Sequence, residues 1–179
     1  MTDPALEVFA DKPKRKKATG PKLAEQNADK LIELMWPGAP VARAGKQVTW
    51  ILEKHTGRRF PISRAEDICG VFDRVVFAGH ACIAIQATVH YAGAGNVAAR
   101  RRKIEAGFIS PLLESLGGAA DDPEYRAAAI GRWLRVETWG WEVRTGMHQW
   151  VYSWSSGEWD REPNVWRVKK GQLVAEART

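Results

Sequence analysis

Residues 71–91 read VFDRVVFAGHACIAIQATVHY, and this stretch decides how the chain folds. Two apolar runs flank Gly79-His80, a loop of the length and glycine content that tight β-hairpins use. Residues equidistant from such a loop lie opposite each other, which places Asp73 across from Gln86. The stretch therefore predicts two antiparallel strands with a carboxylate and an amide side by side.

Alternation along the second strand separates a polar row from an apolar one. Successive side chains point to opposite faces of a sheet, so Thr88 and His90 share the face of Gln86. Such a row on a central strand costs free energy unless water, a metal ion or a partner satisfies it. The row is therefore a candidate site. The other face is apolar and consists of Ile83, Ile85, Ala87 and Val89.

The net charge of +6 comes from one short segment. Residues 12–22 carry six cations with no acid between them, so the rest of the chain is near neutral. Basic arms bind polyanions, and a solvated tail is the other interpretation. We expect residues 1–20 to be a disordered basic tail and residues 21–179 to form one domain. The cations assigned to nucleic-acid binding are Lys14, Arg15, Lys16 and Lys17.

The chain has neither a membrane-length apolar run nor a signal-peptide pattern, so we expect a soluble, cytoplasmic protein in a bacterial or phage-infected cell, without membrane contact. Cys69 and Cys82 lie in apolar surroundings without metal-type spacing. We expect both to be buried free thiols.

Capping and periodicity place the first elements. Pro21 at a first helical position predicts a helix to about Trp36. Residues 47–55 alternate like a strand, although a helix ending at Gly57 also fits their period. Ser63-x-x-Glu66 has the form of a capping box and predicts a short turn before the hairpin.

A basic helix follows the hairpin. Asn96 is a good N-cap, and the helix that it begins extends to about Ala106 and carries four consecutive cations: Arg100, Arg101, Arg102 and Lys103. Such cations neutralise the phosphates of a nucleic acid strand. A solvated helix face, supported by an i,i+4 pair between Arg101 and Glu105, is the alternative. Ser110-Pro111 and Asp122-Pro123 each predict the start of a further helix.

From about Trp133 onward the chain reads as antiparallel hairpins. Aromatic pairs across strands stabilise sheets, so core packing explains the many tryptophans of this tract. An exposed platform for stacked bases, or a surface for a protein partner, is the alternative. Six of the nine tryptophans lie after residue 138: Trp139, Trp141, Trp150, Trp154, Trp159 and Trp166.

Three segments together resemble a family of small phage-type proteins of the PD-(D/E)XK nuclease superfamily. They are ICGVFDRVVF (68–77), AIQAT (84–88) and NVAARRRKI (96–104). In that family an Asp begins one strand, a Glu-x-Lys triplet or a Gln-x-Lys/Thr variant lies on the next, and a basic helix follows. The resemblance covers about residues 22–151 and is specific over residues 68–104.

The resemblance implies roles for the polar row. Asp73 takes the place of the metal-binding Asp, Gln86 that of the Glu and Thr88 that of the Lys. Mg²⁺ or Mn²⁺ would be held by Asp73, Gln86 and the carbonyl of Ala87. His90, further along the same face, is a candidate general base in place of the lysine.

Three further acids are secondary candidates. The first helix of this superfamily sometimes lends an acid to the metal, which implicates Glu25 or Glu33, although a solvated helix face explains both. Asp67 is another candidate, and helix-cap electrostatics explains it as easily.

We therefore expect an α+β fold with a restriction-endonuclease-like mixed central sheet flanked by helices and extended by C-terminal antiparallel hairpins. The expected function is a metal-dependent, nuclease-like protein that cleaves or binds DNA in phage or mobile-element DNA processing. Two alternatives stay open: a catalytically inactive DNA-binding protein on the same scaffold, and a protein-binding inhibitor or assembly factor that uses the tryptophan-rich sheet.

Overall fold

The computed structural model describes residues 20–52, 59–90, 95–169 and 172–176, and over these residues the chain has an α+β fold. The helices are α1 (Gly20–Met35), α2 (Gly95–Ile104), α3 (Ser110–Leu116) and α4 (Pro123–Arg126). None of these helices combines the length and the apolar character that crossing a membrane requires. The strands are β1 (Val41–Arg43), β2 (Gly45–Leu52), β3 (Arg59–Glu66), β4 (Arg74–Ala78), β5 (Ala81–Val89), β6 (Leu134–Glu142), β7 (Gly146–Ser153), β8 (Glu158–Trp159), β9 (Asn164–Lys169) and β10 (Gln172–Glu176).

One mixed sheet has the strand order β1-β4-β5-β6-β7-β9-β10, with β8 paired to β7. Its neighbouring strands are antiparallel except for β5 and β6, which are parallel. A parallel pair needs a crossover connection, and the segment with α2, α3 and α4 provides it. Strands β2 and β3 form a separate two-stranded sheet.

Helices cover both faces of this sheet around β5. Leu31 of α1 packs with Ile85 on one face. On the other face, Ile104 of α2 packs with Ala84 and Val136. Burial from both sides explains why ACIAI, at the start of β5, is a continuous apolar run.

The hairpin predicted around Gly79-His80 is confirmed. Ala78 pairs with Ala81, which is the register that a two-residue loop requires. Gly79 has a φ of 60°, in the left-handed region that glycine adopts without strain. The register extends outward to Asp73, just before β4, and Gln86 within β5.

The strand interpretation of residues 47–52 is confirmed by β2, and residues 53–58 lie outside the described residues. The capping-box prediction is wrong, because Ser63 and Glu66 both belong to β3, where Ser63 pairs with Val48. Pairing with β2 satisfies the backbone groups that a helix cap would otherwise serve.

The helix that begins at Gly95 continues to Leu116 through a π-helical turn, Glu105–Ile109. The separate N-cap predicted at Ser110-Pro111 is therefore wrong, since Ser110 has helical φ and ψ angles. The wider π turn lies where Pro111 lacks an N–H and crowds the preceding turn. Asp122 does cap α4, because its side chain accepts a hydrogen bond from the backbone N–H of Glu124 in the first turn of that helix.

The C-terminal tryptophans contribute mainly to the core. Trp139, Trp150 and Trp154 are at most 6% exposed. Core and sheet packing therefore explains the described part of this tract better than an exposed platform for bases does. The other three are half-buried: Trp141, Trp159 and Trp166.

The two cysteines are free, but the prediction that both are buried is wrong. Cys69 is exposed and Cys82 is half-buried. Cys69 lies in the tight turn before β4 with a φ of 52°. A turn residue of this kind has little apolar structure to cover it.

Candidate functional site

Asp73 and Gln86 meet where β4 begins. The side-chain Nε2 of Gln86 and the backbone N–H of Ala87 both donate to Oδ2 of Asp73, the second at 2.8 Å. Gln86 is 2% exposed, whereas Asp73 is half-buried. Strand β5 thus holds the Asp73 carboxylate with two donors.

Burial raises the pKa of Asp73 from 3.8 to about 6. The hydrogen bond from Ala87 lowers this pKa and the nearby Asp67 raises it, but desolvation has the largest effect. A carboxyl group whose ionisation is disfavoured by its surroundings and which faces a cleft is typical of a functional site.

Asp73 lines a cleft of about 570 Å³ between the sheet, α1 and α2. Helix α1 contributes Glu25, and α2 contributes Arg100 and Lys103. Acidic and basic side chains from separate elements therefore face one cavity. The remaining lining residues belong to β5 and to the start of α2: Gln86, Ala87, Thr88, Val89, Asn96 and Ala99.

Lys103 is held at this cleft by Asp67. Its Nζ lies 2.6 Å from Oδ2 of Asp67, and both side chains are partly exposed. The pair brings an ammonium group to the cavity, whereas the lysine position implied by the resemblance is occupied by Thr88. Sequence reasoning assigned Lys103 to phosphates and Asp67 to a cap or a metal, and it missed their pairing.

Arg74 connects α1 to the strand that follows Asp73. Its side chain is 7% exposed, and Nε lies 2.7 Å from Oδ1 of Asp29. Nη1 donates to the backbone carbonyl of Asp73 at 3.1 Å, and Nη2 lies 3.9 Å from Oε2 of Glu25. Sequence reasoning missed this clamp, although an arginine within an alternating apolar strand requires a buried partner.

The four cations of α2 lie in different environments. Arg100 and Lys103 line the cleft, and Arg102 is exposed. Arg101 turns inward, with its guanidinium carbon 4.7 Å from the centroid of the Trp150 ring. Burial lowers the pKa of Arg101. The Arg101 side chain therefore packs α2 onto the sheet, whereas a phosphate contact needs a side chain that faces solvent.

Other predicted residues lie away from the cleft. His90 follows β5, and its ring lies 4.9 Å from that of His148 rather than beside Asp73. Glu33 is exposed on α1 and does not line the cavity. The basic residues 14–17 lie outside the described residues.

The oxygen atoms around Asp73 suit a hard divalent cation. Oε1 of Gln86 is buried and accepts no hydrogen bond within the described residues. A buried amide oxygen without a donor requires an explanation, and Mg²⁺ and Mn²⁺ bind carboxylate and carbonyl oxygens. Nε2 of Gln86 now faces Oδ2 of Asp73 and, at 3.4 Å, the carbonyl oxygen of Ala87. With the amide group turned over, Oε1 joins these two oxygens, and the three residues fit the cation that the resemblance implies.

No family model, no curated protein and no solved structure matches this chain.

Proposed function

We propose that this protein is a divalent-metal-dependent nuclease that acts on DNA. The observation that carries the proposal is the composition of one cavity: Asp73 and Gln86 from the hairpin line it together with Arg100 and Lys103 from the following helix. Residues that bind a cation and residues that bind phosphate thus face the same space.

The strand order supports a restriction-endonuclease-like sheet. The antiparallel run β1-β4-β5 is followed by a helical crossover and then by β6, parallel to β5. Asp73 stands at the start of one strand and the triplet 86–88 lies on the next, in the order that the resemblance implies. On the same resemblance we place the enzyme in phage or mobile-element DNA processing.

Asp73, Gln86 and Ala87 form the cation-binding side of the cleft. They would hold a divalent ion, which when bound would lower the pKa of a water ligand and offset charge on a phosphate. The N–H of Ala87 fixes the Asp73 carboxylate at 2.8 Å. Glu25 lines the α1 side of the cavity and adds a further carboxylate.

Arg100 and Lys103 form the phosphate-binding side. Contacts from Arg and Lys to phosphates position a nucleic acid without reading its sequence. Lys103, paired with Asp67, supplies the positive charge that Thr88 lacks. We assign phosphate binding to Arg100, and stabilisation of the charge that develops during cleavage to Lys103.

A cleavage assay with Mg²⁺ or Mn²⁺ on linear, nicked and branched DNA tests this proposal. We expect the wild type to cleave at least one substrate, and Asp73→Asn to lose about 100-fold or more in rate with an unchanged circular dichroism spectrum. Asp121→Asn removes an exposed carboxylate outside the cleft and is the matched control, with full activity expected. A wild type that cleaves none of these substrates with either cation contradicts the proposal.

A catalytically inactive DNA-binding protein is the second candidate. One observation favours it: the amide of Gln86 already donates to Asp73, so the carboxylate has a partner without a cation. In that case neither the wild type nor Asp73→Asn cleaves DNA, and the two bind DNA equally. Binding would still weaken when Arg100 or Lys103 is replaced by alanine.

A further inference from the structure

A second cluster of polar side chains lies further along the sheet face that carries Gln86 and Thr88. His90 follows β5, Glu142 ends β6 and His148 lies in β7. Three neighbouring strands thus bring two imidazoles and one carboxylate together.

Gly140 of β6 makes room for this cluster. A Cβ atom at this position would lie 2.8 Å from Cβ of His90 and 3.2 Å from the ring of Trp150. A glycine within a strand often marks such a close approach. Because no side chain separates them at position 140, the rings of His90 and His148 lie 4.9 Å apart.

The ligand atoms of the three residues have nearly the spacing of a metal site. They all lie within 4.8 Å of one another, and Nε2 of His148 is 3.2 Å from Oε2 of Glu142. In a tetrahedral zinc site with bonds of about 2.0–2.2 Å, neighbouring ligand atoms are about 3.3–3.6 Å apart. The pair of Glu142 and His148, at 3.2 Å, is close to this separation, and no other pair exceeds it by much, since none is longer than 4.8 Å.

Two ring nitrogens of the cluster are buried without a hydrogen bond. Nδ1 of His90 and Nε2 of His148 have no aligned partner within the described residues. Nε2 of His148 nevertheless lies 3.2 Å from Oε2 of Glu142, which is the distance of an ion pair. Buried polar atoms are nearly always satisfied, so two such atoms on facing histidines suit a shared metal ion.

A neighbouring hydroxyl orients the carboxylate of the cluster. The hydroxyl of Thr145 donates to Oε2 of Glu142 and so holds the carboxylate in place beside His148. Hydrogen bonds of this kind orient the ligands of metal sites.

We propose that His90, Glu142 and His148 bind a zinc-class transition-metal ion at a site separate from the Asp73 cleft. Two nitrogen ligands and one oxygen ligand suit Zn²⁺, whereas Mg²⁺ prefers oxygen ligands. Three protein ligands leave a fourth tetrahedral position for water or another small ligand. The bound ion would also link β5, β6 and β7.

Metal titration of the full chain tests this site. The metal-stripped protein, prepared without a histidine tag, is titrated with Zn²⁺ by calorimetry and with Co²⁺ by visible absorption. We expect one Zn²⁺ per chain, a Zn²⁺-dependent rise in melting temperature and the intense absorption of tetrahedral Co²⁺. His148→Ala should weaken Zn²⁺ binding by more than about 100-fold, and Thr145→Val, which releases Glu142, by about 10-fold.

Glu142→Gln keeps the size of a partly exposed side chain, so it tests the metal without unfolding the protein. We expect a wild-type melting temperature in EDTA and Zn²⁺ binding weakened by about 10-fold or more. His80→Ala, at an exposed position in the turn at the other end of β5, is the matched control and should bind Zn²⁺ normally.

Wild-type Zn²⁺ affinity in Glu142→Gln, or no Zn²⁺-dependent rise in the wild-type melting temperature, overturns the proposal. Asp73→Asn should leave Zn²⁺ binding unchanged. The zinc site and the proposed nuclease activity can therefore fail independently.

Discussion

Asp73 accepts two hydrogen bonds and is still harder to ionise than a free aspartate, because burial outweighs the bonds. With a pKa near 6 in the folded state and 3.8 in the unfolded state, the folded protein binds this proton more tightly. The free energy of unfolding therefore falls as pH rises through this window. Asp73 thus lowers stability at neutral pH, as residues kept for function commonly do.

Asp73→Asn should remove this loss of stability. The asparagine oxygen can accept both hydrogen bonds, and the side chain carries no charge to desolvate. Near neutral pH we expect the variant to be more stable than the wild type by about 2–3 kcal/mol, with the difference vanishing in acid below the unfolded pKa. Urea denaturation from acid to neutral pH measures this, and Asp121→Asn should keep the wild-type profile. Identical pH profiles for Asp73→Asn and the wild type would show that the buried Asp73 carboxylate does not lower the free energy of unfolding.

Gln86→Glu should make stability depend on a divalent cation. The change removes the donor to Asp73 and adds a second carboxyl group, so without metal we expect a loss of about 1–3 kcal/mol. Saturating Mg²⁺ should restore the melting temperature, because an ion bound between the two carboxylates offsets their repulsion. Gln149→Glu is the matched control, since buried Gln149 likewise donates to an acid, Glu137, at 2.7 Å. Mg²⁺ should not rescue that control, and equal rescue of both variants would argue against a specific site.

Helix α1 is positioned by an apolar stripe and by ion pairs, of which the one between Asp29 and Arg74 is the shortest. Ala28, Leu31 and Ile32 are at most 2% exposed against the sheet. Asp29, beside this stripe, pairs with the buried Arg74. The apolar stripe determines which face of α1 is buried. The pair of Asp29 and Arg74 links that face to β4, the strand that follows Asp73.

Asp29→Ala should destabilise the protein by about 2 kcal/mol, because it leaves the buried Arg74 guanidinium without its main acceptor. Glu33→Ala, one helical turn further along and exposed, should change the free energy of unfolding by less than about 0.5 kcal/mol. Urea denaturation of both variants gives the comparison. If the two substitutions cost the same, the clamp does not hold α1.

Helix α2 should bind DNA through its phosphates. Arg100→Ala should weaken binding to every DNA sequence tested and lower the slope of log K against log salt by about 0.9. Fluorescence anisotropy at several salt concentrations measures both quantities. Arg132→Ala is the control, because this exposed arginine lies beside His80 at the far end of the hairpin. A loss confined to one sequence would indicate base readout instead.

For the whole molecule, charge is concentrated at one end of the sequence. Residues 12–17 carry five cations and no acid, against a net charge of +6 for the entire chain. Long-range attraction to a polyanion therefore depends mainly on this segment and on the cations of α2.

Deletion of residues 2–19 should weaken DNA binding and lower its salt slope by up to about 4.5, since each of five phosphate contacts contributes about 0.9. Cleavage of a bound substrate at low salt should persist, because the cleft is formed by residues outside the deletion. Equal salt slopes for the two proteins would exclude the arm from DNA binding.

The sequence alone was sufficient for the parts of the fold that local geometry controls. A two-residue loop sets hairpin register, so the pairing of Ala78 with Ala81 followed from Gly79-His80. A helical period with a proline at its start predicted α1 within one residue at each end. The opposition of Asp73 and Gln86 follows from the same register.

Local signals were misleading where a distant segment competed for the same groups. Ser63 has the sequence context of a helix cap, but its backbone pairs with β2. Arg101 belongs to a run of cations, yet it stacks on Trp150 of the neighbouring β7, because α2 packs over β5 and β6. Neither outcome can be derived from the residues adjacent in sequence.

Only the tertiary structure decided which distant residues meet. It brings Asp29 to Arg74, Lys103 to the cleft of Asp73, and Glu142 with His148 to His90. These contacts depend on the order of strands and on the crossover between β5 and β6, which bury groups far apart in the chain against each other. Alternation and period determine which face a side chain takes, whereas its partner across that face depends on how the complete sheet assembles.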